Sequence, residues 1–273
     1  MTITMSNIAW PPARSDEVAE YLSTEGVHHI EIAPTIRWED PSSVDIEDAR
    51  AYRAWWNSRE IAISSMQALL YGRPDLTIFD NAEIRRSTSE YLGSICRLAG
   101  WLGAGPLVFG SPKNRLRGKL PQDEAFEVAI EFFAGLAPVA AEHGTAICIE
   151  ANPVAYGADF ILDAGEAASI VRAIDHPGIA LHLDTACMYL AGDHPADVVA
   201  KYADILHHVH VSEPDLAPVG GVSDVPHVEM ATALATIEYE NFVSIEMRST
   251  TDPFPAIKRA VSFAQAVYSG GED

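Results

Sequence analysis

Four short apolar runs in the second half of this chain each end in a residue able to bind a metal. Ile-Cys-Ile-Glu closes on Glu150, Leu-His-Leu-Asp on Asp184, His-Val-His on His210 and Ser-Ile-Glu on Glu246. Runs of this length and composition form buried parallel strands. Their terminal residues are spaced 34, 26 and 36 positions apart, and each interval has room for one strand, one helix and two loops. That is a βα repeat. Three carboxylates and one imidazole at the C-terminal ends of successive barrel strands would converge on one divalent cation, at the end where (β/α)₈ barrels keep their active sites.

Length and patterning agree. The 273 residues are close to the roughly 250 typical of one such barrel, so a single domain spanning 1–273 is expected. Apolar strand patterns fall at 7–10, 28–33, 61–68, 106–110, 146–151, 179–184, 205–211 and 242–248. Amphipathic helical patterns alternate with them at 16–23, 46–58, 83–102, 123–143, 164–174, 196–203, 229–237 and 254–268. Gly103, Gly144 and Gly178 follow helical patterns, where a C-terminal glycine is expected. An open doubly wound sheet is the alternative, but no Gly-X-Gly-X-X-Gly loop follows the first strand.

Side chains two apart on a strand share a face. Glu150 therefore lies with Cys148, Asp184 with His182, His210 with His208, and Glu246 with Ser244 and Arg248. The opposite parity is apolar in all four strands: Ile147 and Ile149, Leu181 and Leu183, Val209 and Val211, Val243 and Ile245. The apolar set packs on the helices and the polar set faces the barrel axis. Buried carboxylates are costly unless paired or bound to a cation, so a metal explains the four positions better than four separate ion pairs. Mainly oxygen donors favour Mn²⁺, with Mg²⁺ and Co²⁺ compatible, and the imidazole keeps Zn²⁺ open.

The formal charge of −21 argues against a nucleic-acid partner, because phosphates are bound by clustered Lys and Arg. No segment approaches the roughly 20 apolar residues of a membrane span. The first ten residues carry neither a basic n-region nor an apolar h-region, and three cysteines form no close-spaced motif. A cytoplasmic location with reduced thiols is expected. A homo-oligomer is compatible with all of this.

The motifs Ile-Cys-Ile-Glu-Ala-Asn-Pro (147–153), Leu-His-Leu-Asp-Thr-Ala (181–186), His-Val-His-Val-Ser-Glu-Pro (208–214) and Ser-Ile-Glu-Met-Arg (244–248) resemble those of the xylose-isomerase-like TIM barrel superfamily, the sugar phosphate isomerase/epimerase group. The segments 28–34 and 108–115 add to the likeness, which covers essentially the whole chain. By that resemblance Glu150, Asp184, His210 and Glu246 hold the metal, and Glu150 and Glu246 are the acid/base pair that exchanges a proton with a sugar, sugar phosphate or related polyol through an enediolate. The chain departs from the ketose 3-epimerase pattern at three positions. Tyr156 replaces a Glu, Cys187 a substrate-binding His and Leu216 an Arg, so recognition of the substrate must differ. Trinuclear-zinc endonucleases of the same superfamily need further histidines, including one at position 187.

Other residues are candidates for substrate contacts. Glu31, on the barrel-facing parity of the second strand, could touch substrate or be a buried ion-pair partner. Gln67, at the end of the third, suits sugar hydroxyls or caps a loop. Lys113 and Arg115, just after the fourth strand, could hold a phosphate or carboxylate, or form a solvated run. Arg248 lies two residues beyond Glu246 on the same parity. His182 and His208, two before Asp184 and His210, lie deeper in the barrel, with His182 the nearer candidate to the substrate. The segment 213–227, rich in Gly and Pro, reads as a lid. The leading function is a metal-dependent isomerase or epimerase. A lyase using the same enediolate to expel a β-leaving group is the alternative, and a non-catalytic metal-binding subunit is a third reading.

Overall fold

The computed structural model describes residues 1–220 and 223–269. Eight parallel strands close into one barrel in sequence order. They are β1 (Thr2–Ser6), β2 (His29–Ile32), β3 (Ala62–Met66), β4 (Pro106–Phe109), β5 (Ala146–Glu150), β6 (Ile179–Asp184), β7 (Leu206–Ser212) and β8 (Phe242–Glu246). The α-helices among the described residues are α1 (Ser15–Thr24), α2 (Ile46–Asn57), α3 (Ala82–Leu102), α4 (Gln122–Glu142), α5 (Ala164–Ile174), α6 (Thr185–Ala191), α7 (Pro195–Tyr202), α8 (His227–Thr236) and α9 (Pro253–Tyr268). Among the described residues no helix is long and apolar enough to cross a membrane.

Two elements differ from the sequence reading. The first strand is Thr2–Ser6 rather than 7–10, and Asn7–Ala9 is a short 3₁₀ turn capped by Ser6. Ile3 and Met5 supply the period-2 pattern that strand requires, and it pairs with β8 as well as β2. The short helix α6 begins directly after β6. Asp184 ends the strand and caps the helix, accepting the Cys187 N–H at 2.7 Å.

The strand parity holds. Ile147, Ile149, Leu181, Leu183, Val209, Val211, Val243 and Ile245 are buried in the core between barrel and helices. The barrel interior is different: Ala146, Cys148 and Ala180 form a small apolar group of their own. Thr4, Glu31, Ser64, Ser65, His182, His208 and Ser244 are also buried. Barrel interiors are usually filled by branched apolar side chains, so this polar filling positions something.

Candidate active site

Strand register sets the heights of the site residues. Glu150 pairs with His182 across β5 and β6, Asp184 with His210 across β6 and β7, and Ser212 with Glu246 across β7 and β8. One donor atom each from Glu150, His182, Asp184 and His210 lies within 4.8 Å of the others. The Glu246 carboxylate reaches the same place from β8, with Oε2 3.3 Å from His210 Nδ1. The structure thus brings all four expected ligands into one bowl and adds His182. Asp184 and His210 are buried, whereas Glu150 and Glu246 keep part of their surface open. Gly110, at the end of β4, leaves the space that the Glu150 carboxylate fills; a Cβ there would collide with it.

Glu31 is the hub beneath the bowl. Fully buried, it accepts hydrogen bonds from Ser65 Oγ (2.9 Å), Ser244 Oγ (3.0 Å), Gln67 Nε2 (3.3 Å) and His208 Nε2 (2.9 Å). Its Oε2 also lies 2.9 Å from His210 Nε2, off the line of the N–H, so this contact is more ionic than directional. Burial opposes ionisation of Glu31, but the His210 and His208 rings outweigh it and hold the carboxyl well below its usual range. Burial opposes charging the His210 ring, but the Glu31 and Glu246 carboxylates outweigh it and raise its pKa well above the usual value, so with no metal bound Nδ1 carries a proton toward Glu246 and toward Asp184 Oδ2, 3.9 Å away. A divalent cation among the carboxylates would displace that proton, leaving the Nδ1 lone pair to coordinate it and the Nε2 proton on Glu31. Three carboxylates, a fixed imidazole and unpartnered buried ring nitrogens fit a divalent metal.

Electrostatics point the same way. Burial, then the charges of Asp184 and Glu246, push the Glu150 carboxyl up from 4.5 to about 8; burial and Glu246 likewise raise Asp184. A carboxyl whose folded pKa exceeds its unfolded one stabilises the fold fully below the unfolded value, and that contribution is lost as pH rises through the folded one. Between pH 4.5 and about 8 the metal-free protein should therefore lose stability through Glu150. A bound divalent cation reverses the penalty, so the rise in Tm on adding Mn²⁺ should grow across that window. Calorimetry against a chelated control checks this, and an increment that stays flat or shrinks with pH would contradict it.

The remaining candidates are placed as follows. Gln67 is buried and donates to Ser6 Oγ at 2.8 Å as well as to Glu31. Lys113 is exposed on a 3₁₀ turn, and Arg248 is exposed just past β8, its backbone N–H donating to the Leu216 carbonyl at 2.8 Å. Arg115 is 1% exposed, unlike a solvated run. Its guanidinium donates to the carbonyls of Phe109 (3.2 Å) and Glu150 (2.7 Å) and to Asn152 Oδ1 (2.8 Å), tying β4 to the end of β5. Arg115→Met leaves those acceptors dry and unpartnered, so a loss of about 2–4 kcal/mol in urea denaturation is expected. A change within about 0.5 kcal/mol would mean that the clamp is dispensable.

Of the three positions that depart from the epimerase pattern, Cys187 lies against Glu150, while Tyr156 and Leu216 meet the segments that follow β7 and β8. Cys187 Sγ lies 3.8 Å from Glu150 Oε1 and 3.7 Å from Asn152 Nδ2, and the Tyr156 hydroxyl accepts the Asp215 N–H at 3.0 Å. In the segment read as a lid, Glu213 is buried against His227 (3.4 Å) and Ser223, and His227 Nδ1 meets the Tyr268 hydroxyl at 2.9 Å. Positions 221 and 222 of that segment lie outside the described residues. A cavity of about 360 Å³ lies at the ends of β1 and β2, walled by Trp10, Tyr52, Trp55 and Trp56, with Arg37 at its edge. None of the donors lines it. The reading of Glu31 as a buried ion-pair partner could not name its five partners, because they lie on three other strands, β3, β7 and β8, or just past them.

A model of the xylose isomerase-like TIM barrel family matches residues 18–267, and the chain belongs to that family. No curated protein matches the chain at a significant level. Among solved structures, a D-psicose 3-epimerase crystallised with D-fructose superposes with a TM-score of 0.83 at 17% identity, covering 99% of this chain and 100% of its own. The 3-keto-D-glucoside 4-epimerase of E. coli gives 0.78 at 18%, covering 97% and 99%. The IolI protein with a bound zinc atom gives 0.74 at 15%, covering 98% of both chains. At these identities the likeness is one of fold.

Proposed function

We propose that this protein is a divalent-metal-dependent isomerase or epimerase of a sugar, sugar phosphate or related polyol. The observation that carries the reading is the convergence of Glu150, Asp184, His210 and Glu246 at the C-terminal ends of four consecutive strands. Two of the structural neighbours named above are epimerases of sugars or keto-sugars, and a third holds zinc, which supports the same class.

When bound, the cation supplies charge that polarises a carbonyl and the neighbouring hydroxyl, and so acidifies the C–H between them. The chain's residues divide the remaining work. Asp184 and His210 are buried donors with fixed geometry: Ser212 Oγ (2.6 Å) and the Cys187 N–H hold the Asp184 carboxylate, and Glu31 orients the His210 ring. Glu150 and Glu246 stand on the outermost of the four donor strands, and each keeps surface open to the barrel mouth. One removes the proton from the substrate carbon and the other returns it.

Tyr156, Cys187 and Leu216 carry no formal cationic or anionic group against the substrate, so recognition there relies on shape and neutral contacts. The test is incubation with a panel of keto and aldo sugars and their phosphates in the presence of Mn²⁺. A product of unchanged mass is expected. A product lighter by water, or by an aglycone, would replace the isomerase with a lyase using the same carboxylates.

A further inference from the structure

We infer that His182 is a fifth donor to the cation, making the centre one of two imidazoles and three carboxylates. The inference rests on the metal centre proposed above and goes beyond its four expected ligands. Its first support is position: on the barrel-facing parity of β6, His182 pairs with Glu150 across β5 and with His208 across β7, which sets it between the ligand level and the layer beneath. Its second is convergence, because His182 is one of the four residues whose donor atoms lie within 4.8 Å of one another, a group that does not include Glu246. Atoms on opposite sides of one cation at about 2.1 Å are roughly 4.2 Å apart, so a small inward movement completes the sphere.

The third support is independent of the cluster. His182 is 1% exposed, and neither ring nitrogen has a hydrogen-bond partner among the described residues. A neutral imidazole carries one donor and one lone pair in either tautomer. Simple packing does not account for it: its neighbours are the His210 ring at 4.2 Å and the His208 ring at 5.4 Å, and leucine would fill such a slot without stranding two polar atoms. A cation takes up the lone pair.

The consequence is selectivity. A second nitrogen donor moves the site away from Mg²⁺ and toward Zn²⁺ or Co²⁺, which bind imidazole well. The test titrates metal-free wild type, His182→Leu and His182→Gln with Co²⁺ and with Mg²⁺, following the visible Co²⁺ absorption and competition with a chelating dye. One Co²⁺ per chain is expected for wild type. Both variants should bind Co²⁺ roughly tenfold or more weakly, with an altered spectrum and a reduced preference over Mg²⁺. Circular dichroism establishes that the variants fold. A readout needing no variant is the proton spectrum of ¹⁵N-labelled wild type loaded with Co²⁺. Two hyperfine-shifted imidazole N–H signals are expected, one from His210 and one from His182. A single signal, or variants with wild-type Co²⁺ affinity and spectrum, would overturn the assignment of His182. A wild type that takes up no divalent cation would instead remove the metal centre itself.

Discussion

Glu150→Gln and Glu246→Gln, each resupplied with saturating Mn²⁺, are expected to remain roughly 10²–10⁴-fold below wild type in turnover, the usual contribution of general acid–base catalysis. An amide can still coordinate through its oxygen, so metal content can be restored. It cannot accept the substrate proton. If the two glutamates were ligands only, activity would track occupancy and excess metal would rescue both variants. Each variant retains one functional glutamate, so the half-exchange it serves can survive while net conversion is blocked. Single-turnover isotope exchange separates these cases, and full rescue by metal in either variant would leave that glutamate without an acid/base role.

The second large effect is expected at Glu31, a fully buried residue outside the four expected ligands. Glu31→Gln places an amide NH₂ where Ser65, Ser244, Gln67 and His208 direct donors, and removes the charge that faces His210 Nε2 at 2.9 Å. The proton on His210 Nε2 loses its anion, and the ring is free to turn its lone pair away from Asp184 and Glu246. Outer partners of metal-bound histidines typically contribute 10–100-fold in affinity, so weaker Mn²⁺ binding of that order is expected. Loss of a buried charge from its partners should also cost about 3–5 kcal/mol of stability. Turnover should recover toward wild type at saturating metal, unlike that of Glu150→Gln. Isothermal titration with Mn²⁺ checks the affinity, and an unchanged value would show that Glu31 serves the fold alone.

Much of this architecture is legible in the sequence because the barrel imposes two periodicities at once. Donors recur at βα spacing, and alternate residues within each strand divide into apolar and polar sets. Residues 147–150 and 181–184 carry both signals in four positions each, which places the ligand strands and their inward faces. The signal fails where one residue serves two elements. Asp184 closes β6 and caps α6, so that seven-residue helix reads as loop. It also fails where function depends on long-range partners. Ser-Pro-Lys-Asn-Arg looks like a solvated turn, yet Arg115 is drawn inward by the carbonyls of Phe109 and Glu150, which only the closed barrel brings to it. His182 has the parity of a site residue, but its height depends on the pairing of β6 with both β5 and β7, for which the local sequence carries no cue.

On the proposed function, the carboxylate–imidazole bowl, loaded with a divalent cation, moves a proton to and from carbon beside a carbonyl. The most direct measurement is proton NMR in D₂O of a panel of hydroxycarbonyl sugars and sugar phosphates incubated with Mn²⁺-loaded protein, alongside the chelated protein and Asp184→Asn. The expected result is loss of one C–H signal next to the carbonyl with the loaded wild type, abolished by chelation and strongly reduced in the variant. Absence of exchange on every hydroxycarbonyl compound, or exchange that persists undiminished after the metal is removed, would rule out metal-dependent proton transfer at this site.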